Sequence, residues 1–435
     1  MMTLEEALSY ARAHQPALRS ALARVAAAAA DARVPRAQWL PSFGATLQAF
    51  EGTTNNTTAS YVGVPDVDIP RIGSTKVGTP SAGSAAAWTP STSMLGAIGA
   101  GQEVFDFGRI AAQAAVADLS YEAERQRSNA ERLRIDLLVK ETYYGVLGAH
   151  AVLRAAQDAF QRAKAHRDMA AAGVKSGLHA PIELTRADAD LTRFDVGQIR
   201  AGGSVQSAQA VFAASVGIDG ALLDAAADAP PQPPAPSLDE ALKQATQVDP
   251  VLKAGRARAE AADALTRAIN SETRPDLALT ATFSGRAGTA TPSSGSLSDQ
   301  YGPLPTVPNW DVGLVLRWPL YDPVVAARRE AAAARTAVAR ADLSVLVQQE
   351  GATVQQAYVA LQVNQAALVS LKRAVDAAHA NYAQAEARFK AGLGTSLELA
   401  DAEAVRTDAE IQLAVGEFEA RRARAALSRL LGEDL

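Results

Sequence analysis

Cysteine is absent from the 435-residue chain. That excludes a disulfide framework, thiolate metal ligation, a cysteine nucleophile and lipid attachment through a cysteine of this chain. Long hydrophobic runs are also missing. No apolar stretch reaches about 18 residues, and the mean hydropathy of -0.04 is too low for a polytopic helical membrane protein. A β-barrel stays open, because its strands are short and only half apolar. There is no basic excess, with 42 Lys+Arg against 47 Asp+Glu and a net charge of -5, so a general nucleic-acid binder is excluded. No secretory signal is legible: Met1-Met2 runs directly into Leu4-Glu5-Glu6-Ala7-Leu8, which reads as a helix. The expectation is either a cytosolic protein or one whose leader has been removed. Catalytic signatures are wanting too. There is no Walker sequence or nucleotide fold, and His14, His150, His166, His179 and His379 show no ligand spacing and read as surface residues. No enzyme activity, cofactor or metal is expected.

What is present is repetition. Leu4-Glu-Glu-Ala-Leu8, Pro16 and Pro41 return 234 positions later as Leu238-Asp-Glu-Ala-Leu242, Pro250 and Pro275. Further on, Val104-Phe105-Asp106 is matched by Leu320-Tyr321-Asp322, and Val174-Lys175-Ser176-Gly177-Leu178 by Phe389-Lys390-Ala391-Gly392-Leu393. The economical reading is an internal duplication: a first repeat over 1–220, a proline-rich linker over 221–236 that cannot continue a helix, and a second repeat over 237–435.

Each repeat changes period along its length. An alanine-rich helical stretch, Leu4 to about Arg36 in the first repeat, comes first. Two-residue alternation follows, predicting strands at about 41–52 and 93–105, and again at about 275–285 and 309–321. Phe43 and Leu47 mark one strand; Trp310, Val312, Leu314, Leu316 and Trp318 mark another, with tryptophan near both ends. Strands of about ten residues with one apolar face suit a membrane barrel and equally a soluble hairpin packed on a helix. Gly52–Pro90 and Gly285–Pro308, rich in Ser, Thr, Gly and Pro, read as long loops.

Very long helices come next, within hairpins at about 109–216 and 324–431. Val347, Val354, Leu361, Leu368, Val375, Tyr382 and Phe389 keep a heptad, interrupted on the companion seam by Glu350 and Asn364. The first repeat carries the same seam through Val139, Val146, Leu153, Phe160 and Val174, with Arg167 as its exception. A sustained seven-residue repeat predicts coiled-coil packing. Glycine at 177 and 392 ends each long helix, Pro181 opens one return helix, and Thr395-Ser396-Leu397-Glu398 resembles a capping box opening the other.

The ordered set of helix, strand, loop, strand, long helix, Gly-Leu turn and helix, present twice, resembles the TolC family of outer-membrane channel components. The sharpest motifs are Leu4-Glu-Glu-Ala-Leu8 with Pro16, Trp318-Pro-Leu-Tyr-Asp322, and Phe389-Lys-Ala-Gly-Leu393 followed by Ser396-Leu397-Glu398-Leu399. The resemblance implies an α+β membrane protein of the Gram-negative outer membrane, extending into the periplasm. It implies a homotrimer with four strands per chain, a shared twelve-stranded barrel and a coiled-coil α-barrel. It implies export through a tripartite efflux pump or type I secretion system, with a periplasmic adaptor, an inner-membrane transporter and outer-membrane lipid as partners. Open sheet edges are not viable in lipid, so four membrane strands demand further copies.

The resemblance also assigns residues. Gly177, Leu178, Gly392, Leu393, Ser396 and Leu397 match the tips that contact the adaptor, and they equally make the turns. Glu398, Asp401 and Glu183 match the acidic periplasmic constriction, where carboxylate rings favour cations; helix capping is the alternative for Glu183 and Glu398. The tyrosine and arginine that close some members are replaced at the matching positions by Phe389 and Gly394, which cannot make those polar links. A periplasmic adaptor or a soluble coiled-coil scaffold is the competing reading; the first would carry one hairpin rather than two, and the second leaves the strands unexplained.

Overall fold

The computed structural model describes residues 1–53, 90–177, 179–226, 234–288, 309–391 and 393–433. The fold is α+β. Its helices are α1 (Leu4–His14), α2 (Pro16–Asp31), α3 (Val34–Ala37), α4 (Arg109–Lys175), α5 (Pro181–Val216), α6 (Leu238–Val248), α7 (Pro250–Ser271), α8 (Pro323–Lys390) and α9 (Ser396–Leu431). Its strands are β1 (Ser42–Thr53), β2 (Pro90–Phe105), β3 (Asp276–Gly288) and β4 (Asn309–Arg317). Most of the residues read as long loops, and part of the linker, lie outside the described residues. The chain divides into two compact units. One comprises Met1–Ala28, Ser120–Ala259 and Val338–Leu435; the other comprises Ala29–Leu119 and Glu260–Ala337.

The first unit is helical. Its entry helices start on complete capping boxes: Thr3 with Glu6 for α1, and Ser237 with Glu240 for α6. The alanine-rich stretch expected to run to Arg36 as one helix is broken at Gln15. The proline that follows disfavours the helical conformation for its predecessor, and Gln15 takes ψ 120°. Asp249, before Pro250, does the same with ψ 118°. Freed from the helix, Gln15 donates its amide to the Ser215 carbonyl at 2.7 Å.

Two clusters form the core here. Leu4, Ala7 and Ala11 of α1 pack with Ile135, Val139, Tyr143 and Val146 of α4 and with Phe212 and Val216 of α5. Tyr143 stacks edge-on against Phe212 and donates its hydroxyl to the Ala226 carbonyl at 2.6 Å. The other cluster joins Ala241 and Ala245 of α6 to Val354 and Leu361 of α8 and to Leu427, Leu430 and Leu431 of α9. In both cases an alanine face lets a short helix approach closely. Along α8 the heptad residues Val354, Leu361, Val375 and Phe389 are buried; Val347, at the start of the seam, is exposed.

The exceptions to the heptads have local causes. Arg167 pairs with Asp188 of α5 at 2.9 Å, and Asn364 donates to its own helix at Ala360. Glu350 meets Asp249, whose carboxylate also accepts the Val251 amide at 2.8 Å. Burial pushes the pKa of both carboxyls up, and their proximity raises that of Glu350 further.

The second unit holds an antiparallel sheet in the order β1-β2-β3-β4. Registers such as Ala45 with Ile98, Ile98 with Phe283 and Phe283 with Trp310 align one face across all four strands. A bulge at Val104 shifts the register so that Phe105, rather than Val104, opposes Leu277. β4 ends at Arg317, four residues short of the expected boundary. Pro319 has no amide to continue the ladder, so Trp318 lies just past the strand rather than within it. Asp106 and Asp322 then cap the two long helices: Asp106 accepts the amides of Gly108 and Ile110, and Asp322 those of Val324 and Val325. The recurrent aromatic-Asp motif is therefore a helix-start device.

Candidate functional site

Two surfaces carry the candidate residues, one in each unit. In the sheet, side chains alternate between faces. On one face stand Phe43 and Leu47 of β1, Ile98 of β2, Leu279 and Phe283 of β3, and Trp310, Val312, Leu314 and Leu316 of β4, all exposed. Trp310 is 75% exposed although it sits directly across from Phe283. The opposite face is small and polar, with Ser42, Gly44 and Thr46 on β1, Gly99 and Gly101 on β2, Thr280 and Thr282 on β3, and Asp311 and Gly313 on β4. Among the described residues, β1 and β4 each have one strand neighbour, so the sheet has two open edges. No described helix is long and apolar enough to cross a membrane.

The second surface is the pair of hairpin tips in the helical unit. Gly177 closes the α4–α5 turn with φ +75°, a left-handed conformation that suits glycine, and Pro181 starts α5 with its missing amide where none is needed. At the α8–α9 turn, Leu393 and Gly394 both donate to the Arg388 carbonyl, at 2.9 and 3.1 Å. The Thr395 hydroxyl accepts the Glu398 amide at 3.2 Å. The box is only half closed there, because the Glu398 carboxylate lies 3.8 Å from Arg388 instead of turning back. Ser396 is buried, whereas Leu393, Leu397 and Ile182 are exposed. Leu178 and Gly392 lie outside the described residues. Glu398 and Asp401 are exposed on the first turns of α9. Glu183 is half-buried on α5, with one oxygen on Arg186 at 3.3 Å and the other buried without a partner.

Behind the tips lies a charged cluster that sequence reasoning missed. Arg162 of α4 binds Glu403 at 2.8 Å and Glu410 at 3.2 Å, both on α9. Glu410 also accepts from Arg406 at 2.9 Å and pairs with His379 of α8 at 2.7 Å. Burial pushes the Glu403 carboxyl up, and the ion pair with Arg162 opposes this without overcoming it. Burial acts in the same sense on Glu410, but Arg406, His379 and Arg162 hold it below its ordinary value. The pattern Glu403, Arg406, Glu410 on one face of α9 is visible in the sequence; its partner Arg162, 241 residues away, is not. Of the histidines expected at the surface, His14 and His379 are exposed and His150 and His179 partly so, whereas His166 departs from that role. His166 is buried, His150 pairs with Asp224 at 2.8 Å, and His166 and His179 both contact Phe389. Among the described residues, no group of three or more His, Asp and Glu could hold a metal ion.

The described residues thus offer two distinct surfaces, an exposed apolar sheet face and a pair of long-helix hairpin tips. The family model for outer membrane efflux proteins matches residues 7–217 and 241–433, and the chain belongs to that family. Its fold is similar to that of the outer-membrane channel OprN, at 21% identity and TM-score 0.75, over 99% of this chain and 89% of that one. It is similar to the outer membrane protein VceC of Vibrio cholerae, at 20% identity and TM-score 0.76, over 99% and 96%. It is also similar to the open state of the MtrE outer membrane channel of Neisseria gonorrhoeae, at 19% identity and TM-score 0.75, over 99% and 88%. No curated protein matches the sequence at a significant level.

Proposed function

We propose that three copies of this chain assemble into one export duct, each contributing four strands to a twelve-stranded barrel and its long hairpins to a periplasmic α-barrel. The observation that carries this reading is the sheet: one face lined mainly by exposed apolar side chains, the other mainly small and polar, and, among the described residues, both edges open. In lipid an open edge leaves amides and carbonyls unsatisfied at several kcal/mol each, roughly, so a closed barrel is the viable state. Four strands are too few to close one. The apolar face then meets lipid, and the Ser, Thr, Gly and Asp face lines a watery lumen. Two repeats of one plan, over 1–220 and 237–435 with the linker 221–236 between them, supply the strands in pairs.

Transport is passive, and the duct serves a tripartite efflux pump, with type I secretion as the second role open to the same architecture. The exposed Leu393 and Leu397, together with Gly177, Leu178 and Gly392, contact a periplasmic adaptor joined to an inner-membrane transporter, while the buried Ser396 supports them from the start of α9. Glu398, Asp401 and Glu183 line the periplasmic mouth. Electron microscopy of the detergent-extracted protein tests the assembly. A threefold cylinder is expected; a monomer, or a thin two-stranded rod, would overturn the reading.

A further inference from the structure

We propose that His166, Phe389 and His179 form a proton-sensitive clasp between the two hairpin tips, closed while His166 is neutral and released when it takes a proton. The inference goes beyond the export reading and does not depend on it.

Phe389 is the penultimate residue of α8 and is only 4% exposed. His166 of α4 meets its ring edge-on, with centroids 5.0 Å apart and planes at 70°. His179, in the turn between α4 and α5, lies flat on the same ring, with centroids 5.1 Å apart and planes at 10°. One aromatic side chain of the α8–α9 hairpin is thus held by two imidazoles of the α4–α5 hairpin. The room for His179 is made by Gly173. A Cβ at that position would overlap the imidazole, with two further ring atoms at 3.0 Å. Gly173 lies within α4, where glycine is about 1 kcal/mol less favourable than alanine. The turn does not require a glycine there; the ring does.

His166 is 7% exposed, and its Nε2 has no hydrogen-bond partner. A neutral imidazole can leave one nitrogen as an unused acceptor. An imidazolium would present an N–H donor carrying positive charge in a nearly dry site with nothing to receive it, and burying an unpaired charge is strongly unfavourable. The surrounding groups divide in sign. From α5, Asp190 and Glu183 favour the charged form, while His179 in the turn opposes it. Arg162 on its own helix, Tyr382 of α8 and Glu403 of α9 line the same small cavity. Arg162 is committed to Glu403 and Glu410, Asp190 has Arg193 at 3.6 Å, and Glu183 has Arg186. Burial outweighs the two acids and holds the His166 pKa below its ordinary value. A clasp that lowers the pKa is favoured at neutral pH and weakens as pH falls through the value of the water-exposed ring, about 6.5. His179 is half-exposed and open to water, whereas His166 is buried with an unpartnered Nε2, so His166 is the sensing group.

The absence of cysteine makes a clean test possible. Cysteines replacing Lys175 and Ala391, exposed at the two tips, take spin labels in the full-length detergent-extracted protein. Labelled chains are diluted with unlabelled ones so that only distances within one chain are read. Pulsed dipolar measurements from pH 7.5 to 5 are expected to show one narrow distribution that broadens to longer distances below about pH 6. His166→Phe should hold the narrow distribution across the whole range, and His179→Phe should keep the pH response. Gly173→Ala, which displaces His179, should broaden the distribution already at pH 7.5. A wild-type distribution that ignores pH, a His166→Phe variant that responds like the wild type, or a Gly173→Ala variant that stays narrow at pH 7.5 would each overturn the clasp.

Discussion

Arg162 and Glu403 form an ion pair at 2.8 Å in which the glutamate is 5% exposed, and Arg162 is the only cation hydrogen-bonded to that carboxylate among the described contacts. Breaking such a pair leaves a charge without compensation, whereas removing both partners leaves none. Arg162→Met is therefore expected to lower stability by about 3–5 kcal/mol, and Arg162→Met with Glu403→Gln to recover most of the loss. Urea unfolding of the detergent-extracted protein followed by circular dichroism measures both. A double variant as unstable as the single one would show that packing, not charge, holds α4 to α9 here.

The Glu350–Asp249 contact gives a pH dependence with a definite sign. Both carboxyls have folded-state pKa values raised by burial. The folded state therefore holds protons that the unfolded state releases, so the contribution is fully present below the unfolded pKa and is lost as pH rises through the folded values. Glu350→Gln is neutral at every pH, so it should gain stability relative to the wild type at pH 8 and much less at pH 4. Denaturation midpoints at the two pH values check this. Equal gains at both would show that titration of the pair is not the cause.

Glu350 also shows where the sequence could be read and where it could not. The heptad through Val354, Leu361 and Val375 marked the buried side of α8 because periodicity is local to one helix. The same holds for the strand alternation and for the recurrent Leu4 and Leu238 helix starts. That Glu350 breaks the seam was visible; that it faces Asp249 was not, since the two come together only through tertiary packing. His166 is a similar case. A lone histidine on an alanine-rich helix carries no mark of burial, and neither Phe389 nor the glycine that makes room for His179 identifies its partner from spacing alone. β4 stopped early for a local reason, Pro319, that alternation through Trp318 had masked.

Asp106 and Asp322 should contribute comparably. Each carboxylate accepts two amides at the start of a 67- or 68-residue helix. Asp106→Ala and Asp322→Ala are each expected to destabilise by about 1 kcal/mol, and Asn at either position to retain most of it. Thermal melts of the four variants check this. Loss on Ala with full retention on Asn is the signature of a cap rather than of charge.

The two faces of the sheet should differ in their tolerance of charge. Leu314 lies on the apolar face opposite Leu279, and Thr280 lies on the polar face opposite Gly313. If the apolar face meets lipid, Leu314→Arg should cost about 2–4 kcal/mol near the midplane and reduce the outer-membrane yield sharply, while Thr280→Arg should leave it near wild type. Membrane fractionation with quantitative blotting gives the comparison. Equal tolerance at both positions would argue against a lipid-facing sheet.

If Glu398 and Asp401 line the periplasmic mouth as proposed, the two acids should not be equal. Glu398 has Arg388 at 3.8 Å, a cation that offsets part of its field, while Asp401 stands exposed one helical turn further along the same face. Rings of carboxylates favour cations by raising their local concentration, and a neighbouring guanidinium weakens that effect. Asp401→Asn is therefore expected to reduce the cation preference more than Glu398→Gln does, and Arg388→Ala to increase it. Reversal potentials across planar bilayers under a potassium chloride gradient report the ratio directly. If replacing both acids with alanine leaves the reversal potential unchanged, the selectivity is set elsewhere, and the carboxylates serve only the start of α9.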